Sequence, residues 1–85
     1  MTVQLNHTII WCHDKQRSAV FLTEMLGLPA PKTFLHFKVV AVDNGVSLDF
    51  MEKEGDIARQ HYAFLIEEPR FDEIFARIHA AKLDY

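Results

Sequence analysis

Residues 3–12, VQLNHTIIWC, alternate in a simple way. Val3, Leu5, His7, Ile9 and Trp11 fall on one face at period two, and Gln4, Asn6, Thr8, Ile10 and Cys12 fall on the other. Such alternation in a β-branched run predicts a strand. Asp14 then offers a carboxylate to the unpaired N–H groups of a helix's first turn. Residues 15–26 carry helical spacing through Val20, Phe21, Met25 and Leu28, widened by Leu22 and Leu26. Gly27 predicts a left-handed cap, and Pro29 forbids continuation.

Residues 33–42, TFLHFKVVAV, predict one or two short strands. Asp43-Asn44-Gly45 is a turn signal, with Asn-Gly expected at a two-residue type I′ hairpin loop. The next strand, 46–52, sets Val46, Leu48 and Phe50 opposite Ser47, Asp49 and Met51. An acidic loop follows, and 59–66, RQHYAFLI, alternates again with Arg59, His61, Ala63 and Leu65 on one face. Pro69 suits a helix's first turn. Phe71, Ile74, Phe75 and Ile78 follow at i, i+3, i+4 and i+7, and Leu83 extends the stripe. The expected order is β-α-β-β-β-β-α, an α+β chain.

Composition narrows the possibilities. The 85 residues are 49% hydrophobic and 25% charged, which fits one small globular domain. So short a chain buries little of its surface and needs help from a disulfide, a metal or a partner subunit. Its single cysteine, Cys12, removes the first. Nine basic residues against twelve acidic ones, with no basic run, argue against nucleic acid as a partner. No window approaches the ~20 apolar residues of a membrane span. The opening residues lack a signal-peptide pattern, so a cytoplasmic location is expected.

Three side chains stand out. His7 and Asp49 lie mid-strand, and His61 lies near the start of the 59–66 run. Imidazole and carboxylate are the usual ligands of zinc, iron, nickel or manganese. Burying such groups unpaired costs several kcal/mol, and a divalent metal would satisfy all three. Each also has a plain reading, as an exposed or hydrogen-bonded strand residue, and their wide separation matches no compact metal motif. Arg59 shares the face of His61 and is a candidate for an anionic substrate group, or a solubilising arginine. Trp11, Phe34, Phe37, Phe50, Tyr62 and Phe64 are expected mostly in the core, with some lining an apolar pocket. Cys12 is expected to be a buried, inert thiol.

The opening LNHTIIWCHD with its helix KQRSAVFLTEMLGLP, then VSLDF, HYAFLI and FDEIFARI in that order, resembles the vicinal oxygen chelate superfamily of glyoxalases, bleomycin-resistance proteins and extradiol dioxygenases. The resemblance implies a βαβββ module at 1–58, with a curved mixed sheet, and the first strand and helix of a second module at 59–85. It implies a metal-dependent enzyme domain acting on a small substrate with vicinal oxygens. His7 and His61 match two ligand positions. Asp49 stands where glyoxalase-like members carry glutamate, which puts its role as a third ligand in doubt. Arg59 and Trp11 would contact substrate, and the catalytic base is not assigned. The last three strands and their glutamate lie outside these residues, so a longer chain or a homodimer is expected to complete the site. Two other readings stand beside this one: a non-catalytic, bleomycin-resistance-like binder, and a ferredoxin-like domain that binds an effector.

Overall fold

The computed structural model of the chain describes residues 2–84. Its elements are β1 (His7–Cys12), α1 (Lys15–Leu26), β2 (Lys32–Phe34), β3 (Phe37–Ala41), β4 (Ser47–Glu52) and α2 (Glu68–Ala80). The strands form one mixed sheet in the order β1-β4-β3-β2. β1 runs parallel to β4, with Ile9 opposite Asp49, while β3 is antiparallel to both β4 and β2. This is the expected α+β architecture, a βαβββ unit followed by a helix. Three strands separate the two helices, so the order departs from the β-α-β-β-α-β of a ferredoxin-like domain.

α1 is bounded as its sequence predicts. The Asp14 carboxylate accepts from the Arg17 N–H at 3.0 Å, and Gly27 closes the helix at φ 69°. Its inward face is rotated by about one residue from the expected stripe. Ala19 and Thr23 are buried while Phe21 is exposed. The small Ala19 side chain lets the helix lie close over Val40, Leu48 and Phe50, which with Cys12 form the core. Thr23 satisfies its buried hydroxyl by donating to the Val20 carbonyl at 3.0 Å.

Three local expectations are corrected, and the choice of one or two strands in 33–42 is decided. Residues 3–6 are not strand, and Val3 and Leu5 are exposed. Residues 33–42 divide into β2 and β3 around a turn at Leu35, whose φ of 52° is a strained value for leucine. The β3–β4 hairpin uses three loop residues rather than two. Val42 N–H donates to Val46 O at 3.0 Å, Gly45 N–H to Val42 O at 3.3 Å, and only Gly45 of the loop has positive φ. This is a type I turn followed by a glycine bulge, not the type I′ turn. The largest departure is 59–66, which has no strand partner among the described residues and runs as irregular chain. Alternation makes a segment fit for a sheet, but only a neighbouring strand can satisfy its backbone.

α2 is lightly held. Ile74 is buried, whereas Phe71 and Phe75 stack on each other in the open, their centroids 6.1 Å apart. The helix stops at Ala80, so Leu83 lies past it. Two arginines bring α2 to α1. Arg77 donates to Met25 O at 3.1 Å and Arg70 to Gly27 O at 3.0 Å, satisfying carbonyls at the negative end of the α1 dipole. Of the aromatics expected in the core, only Phe50 is buried; Phe37 is half-buried, and Trp11, Phe34, Tyr62 and Phe64 are exposed.

Cys12 is buried as expected, its thiol 3.6 Å from Met51 O. Burial pushes this thiol above its ordinary pKa. The native protein should therefore resist thiol reagents at neutral pH and react fully once unfolded; rapid native labelling would contradict the burial. The sign for stability follows. The unfolded chain releases the proton first, so the contribution is full below the ordinary thiol range and is lost as pH climbs through it.

Candidate functional site

α1 covers one face of the sheet. The parallel register puts His7, Ile9 and Trp11 of β1 beside Ser47, Asp49 and Met51 of β4 on the opposite face. Val39 and Ala41 of β3 continue it, paired with Asp49 and Ser47. The period-two reading puts His7 and Trp11 on one face of β1 and Asp49 on one face of β4, and the register brings those two faces side by side. Ile9 and Trp11 are 37% and 38% exposed there, so two large apolar side chains are left uncovered.

The polar groups on this open face are ordered by near neighbours. His7 Nδ1 lies 2.7 Å from the Asn6 side-chain oxygen. An amide oxygen only accepts, so Nδ1 carries the proton and a neutral ring leaves Nε2 with its lone pair exposed. That tautomer suits a ligand, because metal-bound imidazoles commonly donate their other N–H to an oxygen. The Ser47 hydroxyl donates to Asp49 Oδ1 at 3.0 Å, and Asp49 is half-buried.

Arg59 and His61 sit apart from any strand, in the irregular segment between β4 and α2, and both are exposed. Among the described residues no three His, Cys, Asp or Glu side chains are gathered as a metal would require. The donor chemistry of His7 fits a metal, but these residues by themselves do not assemble a complete coordination set. Two hollows lie elsewhere, on the helix side of the sheet. One, of ≈420 Å³, is bounded by Ile10, Phe21, Leu22, Tyr62 and Phe64. The other, of ≈800 Å³, lies between the α1 C-terminus, the β3–β4 turn and 62–67. The second half of the 59–66 segment therefore borders hollows on the helix side of the sheet.

Sequence reasoning missed Asn6 and Ser47. The signal was present in principle, since each stands next to or one strand-period from the residue it orients. No helix of the described residues is long and apolar enough to cross a membrane.

No protein-family profile matches the chain, and no curated protein does. Two solved structures are similar to it. Oxidase ChaP-H1 is 55% identical with a TM-score of 0.95, over 98% of this chain and 67% of that one. Oxidase ChaP-H2 is 52% identical with a TM-score of 0.93, over 96% of this chain and 65% of that one. The chain spans about two thirds of the length of each.

Proposed function

The chain belongs to the family of oxidase ChaP-H1, and from that premise we propose an oxidase role carried on the open face of its sheet. The observation that carries the reading is His7, fixed by Asn6 with Nε2 available, on a face walled by Ile9 and Trp11. The vicinal oxygen chelate resemblance supports a divalent metal there, iron, zinc, nickel or manganese. His7 and His61 would hold it, with a carboxylate from outside these residues. Asp49, shorter than glutamate and already engaged by Ser47, would act as a ligand or through a bridging water. Such a metal supplies Lewis-acid activation of a small substrate that offers two vicinal oxygens.

The chain's own residues have narrower tasks. Asn6 holds the His7 tautomer. Trp11 and Ile9 present an apolar wall that excludes water from one side of a planar substrate. Arg59 would neutralise an anionic substituent.

Thermal melting with added Mn²⁺, Zn²⁺ or Ni²⁺, set beside melting with aromatic compounds, tests this reading. A ligand at a hundred times its Kd stabilises by about 2.7 kcal/mol, a rise of roughly 11–22 °C in so short a chain. The oxidase reading predicts that rise for a divalent ion. A rise with aromatic compounds and none with any ion would favour the non-catalytic binder instead.

A further inference from the structure

The segment with Arg59 and His61 runs straight into α2, so the place of α2 decides what that segment can reach. The seven steps from His61 to Glu68 span at most about 25 Å. Among the described residues, Ile74 is the only buried side chain of α2. What aligns the helix is therefore largely polar.

Arg70, Ile74 and Arg77 stand at i, i+4 and i+7, on one helix face. Arg70 Nη2 donates to Gly27 O at 3.0 Å and reaches Leu26 O at 3.4 Å. Arg77 Nη1 donates to Met25 O at 3.1 Å, while its Nη2 lies 4.0 Å from Glu73 Oε2. These three carbonyls stand at the end of α1, where no helical N–H can reach them. A guanidinium carries its donors in a fixed planar fork, so each contact sets an angle as well as a distance. The two anchors are two turns apart, about 10 Å along the axis. Two points so spaced fix the direction of α2 and not only its position.

Gly27 fits the same device. Its φ of 69° closes α1. A Cβ there would also meet Arg77 Nη1 at 3.1 Å and Arg70 Nη2 at 3.5 Å. Both guanidinium groups thus close on the space that glycine leaves open. Every atom of this contact lies within the described residues.

We propose that Arg70 and Arg77 are positioning residues for the site. They clamp α2 to the end of α1, and so set the direction from which the His61 segment meets the half of the chain that carries His7. The bearing of the clamp on His61 rests on the oxidase reading, but the clamp itself is measurable without metal.

Residual dipolar couplings of backbone amides read the direction of α2 against the sheet. In wild type, β1, β4 and α2 should fit one alignment tensor. The Arg70→Met/Arg77→Met double variant keeps apolar stems without the donors. There the sheet should keep its tensor and α2 should no longer fit it. A folded double variant whose α2 still fits overturns the proposal, as does a wild type whose α2 never fits. If the double variant does not fold, Gly27→Asn takes its place. Asparagine tolerates the left-handed φ yet occupies the guanidinium space, so α2 should turn, and an unmoved α2 overturns the clamp. Zinc titration is the separate readout. Affinity should fall at least about 10-fold in the variant, the scale for losing a group that orients a ligand. An α2 that turns with zinc affinity unchanged overturns the positioning role. A wild type that binds no zinc overturns the oxidase reading alone, and zinc affinity that falls with α2 unmoved overturns the clamp alone.

Discussion

Replacing His7 with alanine is expected to reduce bound divalent metal to background, with the fold intact by circular dichroism. His7 is exposed on the open face and supports no core residue, so its removal should cost little stability. The loss in affinity should be large. A group that merely orients a ligand is worth about 10–100-fold in metal affinity, so loss of the ligand itself should exceed about 100-fold. Asn6→Ala supplies the graded comparison. It leaves the imidazole but releases its orientation, and should fall in the about 10–100-fold range. Metal analysis of purified wild type, His7→Ala and Asn6→Ala measures this directly. Equal metal content in all three would remove His7 from the site.

Truncating Phe50 to alanine is expected to unfold the protein at room temperature. Phe50 is 4% exposed and touches the small cluster of Cys12, Ala19, Val40 and Leu48 on which α1 rests. A Phe→Ala change in a core costs about 3–5 kcal/mol. A chain this short has little stability in reserve. Urea melts followed by circular dichroism should show no native baseline for Phe50→Ala, while Phe71→Ala, on an exposed helix face, melts close to wild type. A cooperative Phe50→Ala transition within 1 kcal/mol of wild type would mean that this cluster is not the core.

Local chemistry was legible wherever one residue decides the outcome. Asp14 and Gly27 mark the ends of α1 because a carboxylate cap and a left-handed φ are properties of single residues. Strict alternation sorts the residues within β1 and within β4, but that His7 and Asp49 share a face follows only from the strand register. What failed needed a neighbour. Residues 59–66 alternate like a strand but have no strand beside them. Phe71 and Phe75 mark an apolar face of α2, yet both stay exposed in the structure. The α1 stripe was misplaced because bulk was weighed over closeness of approach, and Ala19 rather than Phe21 meets the sheet. The arginine contacts from α2 to the carbonyls of Met25 and Gly27 left no signal, since they join residues more than forty positions apart.

The site follows the same division. His7 and Asp49 belong to paired strands, so periodicity gives each one's face within its strand and the register joins them. His61 and Arg59 belong to the unpaired segment, so no local rule could say what they face. On the proposed reading, bringing His61 to His7 would need pairing beyond the four strands described.

Nuclear magnetic resonance of the imidazole nitrogens during a zinc titration addresses that dependence most directly. If the two histidines share an ion, the Nε2 of His7 and a ring nitrogen of His61 should shift together and saturate at one stoichiometric point. Their resonances moving independently, or only one of them responding, would contradict a common centre.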